Sequence, residues 1–469
     1  MFTNDVRLEP ARSIFFLFFR DWQVHLKSSF SLASSVRALD PTLDIFCFSH
    51  LRWDFVRQRP QHLLSRAAQT RRVFYWEEPF RHGTEGLPQQ ANVLSAERLG
   101  VADGSAPRFG LQAMREGEVT VLRPHLCSTL TESEANAAQA KMLQGFQRLA
   151  RIRQPIAWYY TPMALAFTTA LRPSVTVYDC MDELSLFHGA PPELRIREQL
   201  LLEAADVVFT GGVSLYEAKR HQHGNVYAFP SSIDVAHFAT ARLPKRREPE
   251  DQAGIARPRA GFSGVLDERL DAALLEQTAK LLPEVQFVLV GPVVKIDPAT
   301  LPKAENLHYL GGKRYEDLPA YLGGWDVALL PFAKNEATRF ISPTKTPEYL
   351  AAGLPVVSTS IRDVVRGYGD EGLLAIADTP EAFAAAIQKA LLPQTDAWRQ
   401  GVARKLAQTS WDRTWSAMEA QIARVLTGKQ EADGTLAEWP LTQAAGMEEM
   451  LLQNGVSTVV AQQRTNLQA

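Results

Sequence analysis

Short apolar runs alternate with amphipathic segments along most of the chain. From Asp44 onward, the runs are rich in β-branched and aromatic residues and have the length of buried strands: DIFCF (44–48), RVFYW (72–76), VTVLRP (119–124), IAWYY (156–160), VTVYD (175–179), DVVFT (206–210) and NVYAF (225–229). Segments with helical spacing of apolar positions lie between most of them, at 58–69, 132–151, 193–205 and 214–221. Because buried strands that alternate with helices favour a parallel sheet covered on both faces, this pattern predicts a doubly wound α/β domain.

The alternation stops at residues 236–259 and then resumes. That stretch is charged, contains prolines and lacks apolar periodicity, which is typical of a connection between domains. Strand-like runs return as AGFSGV (260–265), VQFVLVGP (285–292), LHYLGG (307–312), DVALLPF (326–332), PVVST (355–359) and LLAIA (373–377). We therefore predict two Rossmann-like domains, 44–235 and 260–395, whose carboxyl strand ends face each other across a ligand cleft.

The two ends of the chain differ from these domains. Residues 1–43 contain the run IFFLFF (14–19), which is too short to span a membrane and lacks a signal-peptide cleavage site. This extension is interpreted either as a loosely docked segment or as an aromatic membrane-surface anchor. Residues 396–428 predict terminal helices that pack back toward the N-terminal domain, and residues 429–469 predict a disordered tail.

Composition narrows the kinds of partner. The 469 residues are 46% hydrophobic and 22% charged, with a net charge of −2, which is typical of a globular protein and gives no reason to expect nucleic acid binding. The three cysteines are widely spaced, which argues against a disulfide framework or a zinc site and favours a cytoplasmic location. Any anion site must therefore be local.

The stretch ISPTKTPEYLAAGLPVVSTS (341–360) carries the clearest local chemistry. Thr346 is the predicted N-cap of a short helix that ends before Gly353. A helix N-terminus that faces a cleft is a site for anions, and Glu348 can accept hydrogen bonds from vicinal hydroxyls such as those of a ribose. The predicted nucleotide contacts here are Ser342, Thr344, Lys345 and Glu348. The alternative is that Glu348 only complements the helix dipole.

Three further strand-to-glycine turns are predicted to line the same cleft. In GFSGVLDERLD (261–271), a helix is predicted to start at Asp267 and Glu268, with Arg269 in reach of a diphosphate. The loops at 288–297 and 306–319 follow the next two strands. The predicted donor contacts in these turns are Gly264, Arg269, Gly291, Lys295 and Tyr315. The alternative is that these are ordinary βα turns whose charges face solvent.

These motifs, together with FPSSIDVAHF (229–238), closely resemble the C-terminal half of GT-B glycosyltransferases. The likeness is to the large retaining, family 4-like group, in a bacterial polysaccharide-type branch, and it covers about residues 44–425. The resemblance implies that Glu348 binds the donor ribose. Phe340 stands where relatives carry an earlier glutamate, and the usual arginine of the first C-terminal turn is replaced near Val265. Arg269 is therefore the candidate partner of the diphosphate.

The resemblance also places the first N-terminal βα turn, which is rich in rings and guanidiniums, at the cleft. The predicted catalytic residues are His50 and Asp182. The predicted acceptor-side residues are Trp53, Arg57, Arg59 and Asp179. Packing or capping roles are the alternative for each of them.

The predicted activity is transfer of a sugar from a nucleoside-diphosphate-sugar donor to an acceptor hydroxyl, with retention at the anomeric carbon. The chain contains no Asp-x-Asp motif, so neither a metal nor any other cofactor is expected. The predicted acceptor is a glycan or lipid-linked saccharide at the inner membrane surface. Helix 141–153 has a basic face and an apolar face that would suit docking to this surface, and an ordinary amphipathic helix is the favoured alternative. The alternatives are a nucleotide-sugar epimerase or hydrolase of the same fold, or a non-catalytic nucleotide- or sugar-binding partner.

Overall fold

The computed structural model describes residues 39–83, 93–101, 108–244 and 247–433. Most of the predicted N-terminal extension, and the tail beyond residue 433, therefore lie outside the described residues. Within them the chain forms two parallel-rich sheets covered by helices, so the predicted α/β class with two doubly wound units is confirmed.

The first sheet belongs to the N-terminal half and has the strand order β10-β9-β8-β7-β1-β2-β6-β5-β4, with β3 pairing with β6. Its strands are β1 Ile45–Phe48, β2 Val73–Trp76, β3 Phe80–His82, β4 Val93–Ser95, β5 Phe109–Glu116, β6 Val119–Cys127, β7 Ile156–Tyr159, β8 Val175–Cys180, β9 Val207–Thr210 and β10 Val226–Ala228. The helices of this half are α1 Arg59–Ala67, α2 Glu132–Ala150, α3 Leu165–Thr168, α4 Leu194–Ala204 and α5 Val213–Lys219. Each of the predicted strands of this half is present.

The second sheet is parallel throughout, in the order β13-β12-β11-β14-β15-β16. Its strands are β11 Arg259–Ser263, β12 Gln286–Val290, β13 Leu307–Gly311, β14 Val327–Leu330, β15 Val356–Ser358 and β16 Ala375–Ile376. The helices of this half are α6 Val235–Ala239, α7 Glu250–Ala253, α8 Ala272–Leu281, α9 Leu318–Leu322, α10 Lys345–Ala351, α11 Arg362–Val364, α12 Pro380–Ala390, α13 Asp396–Leu406 and α14 Trp411–Asp433.

Strand β5, which forms an antiparallel hairpin with β6, is an addition that the strand pattern did not predict. Gly117 turns the chain with a φ of 59°, and Glu116 then pairs with Val119. The burial of β5 changes from its buried middle to exposed residues at its end, so it lacks the continuous apolar run that marks the central strands. The search for such runs therefore missed it.

The long helix α14 packs on the N-terminal sheet. Trp411, Trp415 and Met418 belong to the same buried cluster as Trp158 on β7, and the rings of Trp158 and Trp415 lie 6.1 Å apart. Burying a side chain of this size contributes about 1.5–3 kcal/mol each. The prediction of a disordered tail from residue 429 was wrong for its first residues, because the helix continues to Asp433 and Lys429 pairs with Asp206 at 2.9 Å.

Residues 236–259 are more structured than a surface connection. They include most of α6 and all of α7, and Phe238 is fully buried in the core of the C-terminal half. Gln252 is also fully buried, where it accepts a hydrogen bond from the Trp325 indole at 2.9 Å. Among the residues that the structure describes, no helix has the length and apolar character required to cross a membrane.

Candidate active site

The candidate site lies where the carboxyl ends of the two sheets approach each other, a region called the cleft below. The C-terminal half contributes the loops after β11, β12 and β14, at 264–271, 291–297 and 331–344. The N-terminal half contributes the loops after β1 and β8, at 49–58 and 181–187. In doubly wound folds this edge of the sheet is where ligands bind.

Helix α10 holds Glu348 and Lys345 beside each other. Nζ of Lys345 lies 2.7 Å from Oε2 of Glu348, which is only 5% exposed. Burial raises the pKa of Glu348, and the charge of Lys345 opposes that change. Thr344 rather than Thr346 occupies the N-cap position, so the predicted cap was wrong, whereas Gly353 follows the helix with a φ of 82° as predicted. The Thr346 hydroxyl is buried without a hydrogen-bond partner among the described residues.

The side chain of Tyr315 lies close to α10. Its ring stacks on His237 at 4.4 Å, and Cζ of Arg57, from the N-terminal half, lies 5.3 Å from the ring centroid. The ring also meets His62 edge-on at 5.2 Å. Burial and the nearby charge of Glu348 raise the pKa of the Tyr315 phenol, whose oxygen has no hydrogen-bond partner among the described residues. A buried hydroxyl without a partner is a candidate ligand contact.

Arg269 and Lys295 reach the other half of the molecule. Cζ of Arg269 lies 5.5 Å and Nζ of Lys295 lies 5.7 Å from the ring centroid of Phe187. Arg269 is held by Asp267, with Nη2 and Oδ2 separated by 2.7 Å. The predicted helix start at Asp267 was wrong, because Asp271 caps α8 and the chain before it is an irregular loop. The structure thus brings two predicted donor contacts to the same ring, that of Phe187.

Gly264 and Gly291 allow the first two loops of the C-terminal half to touch. Gly291 has a φ of 156°, and a Cβ there would lie 1.7 Å from the carbonyl oxygen of Gly264. The amide of Gly264 in turn donates to the carbonyl of Val290 at 2.9 Å. Their observed role is close packing of the two loops, which positions Arg269 and Lys295.

His50 and Asp182, the predicted catalytic residues, lie within the influence of these cations. Burial, with a contribution from Lys295, lowers the pKa of His50 to about 4, and its Nδ1 has no hydrogen-bond partner among the described residues. Burial raises the pKa of Asp182 to about 6, although Arg269 opposes it. At neutral pH the His50 imidazole is therefore uncharged, and the Asp182 carboxyl titrates about one pH unit below neutrality.

Arg59 and Asp179 do not line the cleft, so that prediction was wrong. They are 2% and 0% exposed, and Nε of Arg59 donates to both carboxylate oxygens of Asp179 at 3.0 Å. Arg59 also donates to the carbonyl oxygen of Phe229 at 2.7 Å, and Met418 of α14 lies against it. This pair joins α1, β8 and the C-terminal helix.

Trp53 and Arg57 have different surroundings. The backbone amide of Trp53 donates to Oε1 of Glu77 at 2.7 Å, and its ring packs edge-on against Tyr75 at 4.9 Å. Trp53 thus stabilises the first loop. The Nε of Arg57 is buried without a hydrogen-bond partner among the described residues, so Arg57 retains a free donor beside Tyr315.

Phe340 lies at the contact with the N-terminal half. It packs against the buried cluster of the N-terminal half and lines a cavity of about 560 Å³ together with Glu198 and Lys219. Cζ of Arg339 lies 5.2 Å from its ring centroid. Phe340 therefore joins the two halves.

The two halves are further joined at Asp363, which the sequence did not single out. Its carboxylate accepts from the backbone amides of Val213 and Ser214 at 2.8 and 3.0 Å, so it caps α5 from the other domain. Nearby, Arg366 pairs with Glu217 at 2.9 Å. Asp363 and Val213 are separated by 150 positions, so no local pattern could have revealed this contact.

The sequence of this chain matches known glycosyltransferases. The family described as "Glycosyl transferases group 1" matches residues 257–392. TuaH of Bacillus subtilis (strain 168), provisionally described as a teichuronic acid biosynthesis glycosyltransferase, is 27% identical over 294 residues, covering 58% of this chain and 72% of TuaH.

Solved structures support the fold. Sucrose-phosphate synthase from Thermosynechococcus elongatus matches with a TM-score of 0.58 at 16% identity, covering 82% of this chain and 99% of that one. Anabaena HepE, solved with UDP-glucose, matches with a TM-score of 0.54 at 14% identity, covering 82% and 100%. WaaG, a glycosyltransferase involved in lipopolysaccharide biosynthesis, matches with a TM-score of 0.54 at 13% identity, covering 81% and 99%. Together with the family match, they identify the chain as a glycosyltransferase with the GT-B fold.

Proposed function

We propose that this glycosyltransferase transfers a sugar from a UDP-linked donor to a hydroxyl of a bacterial cell-surface glycan. The single observation that carries the donor assignment is the buried Glu348–Lys345 pair in the first turn of α10, with unpartnered hydroxyls around it. The uracil nucleotide is suggested by HepE, which was solved with UDP-glucose, and the cell-surface glycan by the description of TuaH. The proposed acceptor is a glycan or lipid-linked saccharide, reached by peripheral contact with the inner membrane surface.

The proposed donor contacts divide between ribose and diphosphate. Oε2 of Glu348 accepts a hydrogen bond from Lys345, and Oε1 of Glu348 has no hydrogen-bond partner among the described residues. The carboxylate can therefore accept hydrogen bonds from ribose hydroxyls. Lys345, Arg269 and Lys295 would stabilise the negative charge that develops on the leaving diphosphate, as electrostatic catalysis requires. In this proposal no metal or other cofactor takes part, and the reaction retains the anomeric configuration.

Asp182 and His50 would act on the acceptor and the transferred sugar. With its pKa raised to about 6, Asp182 can hold or release a proton near neutral pH. Neutral His50 can donate or accept a hydrogen bond without adding charge beside Lys295.

The test is nucleotide binding by the full chain and by Glu348→Gln. In a thermal shift screen of UDP, GDP and dTDP, we expect UDP to raise the Tm of the wild type, because a ligand that binds only the folded state stabilises it. Glu348→Gln should lose that shift, whereas Glu381→Gln, an exposed first-turn glutamate of α12, should keep it. The proposal fails if no nucleotide stabilises the wild type, or if Glu348→Gln responds like the wild type.

Incubation with UDP-glucose alone separates the alternatives. A transferase leaves the donor largely intact until an acceptor is added, whereas an epimerase converts it and a hydrolase releases UDP. Full conversion of the donor without an acceptor would replace the proposed function by one of these.

A further inference from the structure

The cavity of about 560 Å³ beside Phe340 lies between the two halves of the molecule. The N-terminal half contributes the loop after β8, helix α4 and the end of α5 to its wall, and the C-terminal half contributes Arg339 and Phe340. Segments 184–186 and 336–338 also pack against each other, so the two halves meet at its rim. A volume of this size is typical of small-molecule sites in proteins.

The loop after β8 separates this cavity from the proposed diphosphate contacts. Glu183 and Ser185 of the loop line the cavity. Phe187 of the same loop packs with Arg269 and Lys295, which lie 5.5 and 5.7 Å from its ring centroid. A ligand in the cavity would therefore lie next to the donor without using the cations that hold the diphosphate.

The floor of the cavity is an ionic network that is complete without a ligand. Nζ of Lys219 lies 2.6 Å from Oε2 of Glu183 and 2.7 Å from Oε2 of Glu198. The Tyr178 hydroxyl donates a hydrogen bond to Oε1 of Glu198 at 2.7 Å. Lys219 and Glu198 are only 4% and 8% exposed, so their charges are neutralised within the protein. The groups that can bind a ligand must therefore come from the sides of the cavity.

Helix α4 presents accessible polar groups on one such side. Five of its residues line the cavity, at the spacing of one helix face: Arg195, Glu198, Gln199, Leu202 and Glu203. Arg195, Gln199 and Glu203 are exposed. Arg195 has neither an ion pair nor a hydrogen bond among the described residues, and the Gln199 amide lies 3.5 Å from the Glu203 carboxylate, at the limit of a hydrogen bond. Donors and acceptors on this face are therefore available to a ligand.

The lining of the cavity favours an uncharged saccharide. Cations and carboxylates are equal in number, at three each, and a diphosphate would require an excess of cations. Leu202 and Phe340 add apolar surface. Sugar hydroxyls both donate and accept hydrogen bonds, and sugar rings also have apolar faces, so a saccharide matches this mixture. The charged residues of the wall are Arg195, Lys219, Arg339, Glu183, Glu198 and Glu203.

We propose that this cavity binds an uncharged sugar unit of the acceptor, with Arg195 and Gln199 hydrogen-bonded to its hydroxyls. This assignment rests on the proposed function, because it requires an acceptor that is a glycan. The loop after β8 then lies between the two substrates, with the donor diphosphate on the side of Phe187 and the acceptor on the side of Ser185.

The test measures binding of p-nitrophenyl β-glycosides by calorimetry to the full chain saturated with UDP. The probes are the glucoside, the galactoside, the N-acetylglucosaminide and, as the charged member, the glucuronide. We expect an uncharged glycoside to bind most tightly. In the double variant Arg195→Ala/Gln199→Ala its Kd should rise roughly tenfold, the loss typical of two hydrogen bonds, while the Kd of UDP stays within about twofold of the wild type.

A matched double variant controls for the loss of exposed side chains. Arg399→Ala/Gln400→Ala removes an exposed arginine and glutamine of α13, outside the cavity lining, and should leave every Kd unchanged. Because Arg195 and Gln199 are also exposed, their double variant should keep the Tm of the wild type.

Product formation distinguishes an acceptor from a sugar that only binds. UDP-glucose, UDP-galactose, UDP-N-acetylglucosamine and UDP-glucuronic acid are each incubated with the tightest uncharged glycoside. We expect the glycoside to gain one sugar unit from one of these donors, detected by mass spectrometry. In the double variant of α4 the KM for the glycoside should rise roughly tenfold and the KM for the donor should change little.

Binding of the donor sugar in the cavity predicts a different result. The double variant of α4 would then weaken UDP-glucose relative to UDP and leave the glycosides unaffected. That result, tightest binding of the glucuronide, no binding of any uncharged glycoside, no glycosylated product, or wild-type glycoside binding by the double variant would overturn the proposal. Failure of the wild type to bind UDP at all would instead reject the proposed function.

Discussion

Two buried ion pairs of this molecule, both predicted from the sequence to lie at the cleft, differ in how many of their hydrogen-bonding groups have partners. Arg59 and Asp179 share hydrogen bonds to both carboxylate oxygens, and the guanidinium also reaches the Phe229 carbonyl oxygen. Lys345 and Glu348 share one contact of 2.7 Å, through a single carboxylate oxygen. Both carboxylates are almost completely buried, so burial alone does not distinguish the two pairs.

The difference lies in the groups left open around each pair. Arg59 and Asp179 fill each other's hydrogen-bonding capacity and join three elements, so a ligand would find little to bind there. Glu348 lies near the unpartnered hydroxyls of Thr346 and Tyr315. Unsatisfied polar groups that cluster at one edge of a sheet therefore indicate the ligand site better than the presence of charge.

Breaking the first pair should have the largest effect on stability. Asp179→Asn removes the hydrogen-bonded counter-charge of the buried Arg59 guanidinium, so we expect the free energy of unfolding to fall by about 3–5 kcal/mol. Glu348→Gln should lower it by less than about 1 kcal/mol, because only one hydrogen bond changes. Chemical denaturation of both variants measures this.

A similar loss of unfolding free energy in both variants would contradict the proposed difference between the two ion pairs. It would be reversed if Asp179→Asn kept wild-type stability but lost nucleotide binding, because the Arg59–Asp179 pair would then be part of the site.

The contact between the domains offers an intermediate case. Asp363 is fully engaged like Asp179, but it caps a helix end of the other domain rather than a buried guanidinium. Asp363→Ala should lower the free energy of unfolding by about 1–2 kcal/mol, the usual range for a lost N-cap. Asp370→Ala, at an exposed acid of the following segment, is the control and should have no measurable effect.

Nucleotide binding by the Asp363 variant shows whether the contact between the domains also acts on the donor site. Because Asp363 lies outside the donor contacts, Asp363→Ala should bind UDP with an affinity close to that of the wild type. A variant that loses UDP binding without losing stability would show that the contact controls the site.

The sequence predicted the frame of the molecule better than the chemistry of individual side chains. Apolar runs located the central strands because burial on both faces of a parallel sheet requires a continuous run of apolar residues in the sequence. Glu348 and Lys345 were predicted to lie at one place because they belong to one short helix, and the structure holds them side by side. Arg59 and Asp179 were assigned to the cleft in error, since nothing local shows that residues 120 positions apart satisfy each other.

The same limit explains Asp363. The cap that Asp363 supplies to α5 crosses between domains. Contacts of this kind depend on how the two sheets are oriented, which short-range patterns do not encode.

The smallest expected effect is a pH dependence that distinguishes Asp182 from the fully paired Asp179. Burial raises the pKa of Asp182 to about 6, with Asp267 adding to the rise and Arg269 and Arg59 opposing it. Asp182 is therefore mostly protonated at pH 5 and mostly ionised at pH 7.5, and the ionised form repels an anionic diphosphate. We expect the affinity for UDP-glucose to fall as pH rises through about 6, by at most roughly tenfold, which corresponds to a coupling of about one pKa unit.

Asp182→Asn isolates the source of this pH dependence. The amide cannot ionise, so UDP-glucose should bind to the variant with nearly the same affinity at pH 5 and pH 7.5, measured by calorimetry. His50, with its pKa lowered to about 4, stays neutral across this range and adds no slope. Burial also raises the pKa of Glu78 near Lys295, and that carboxyl is intact in the variant. If the full slope persists in Asp182→Asn, the titrating group is Glu78 or another acid, and Asp182 belongs with Asp179 among the structural carboxylates.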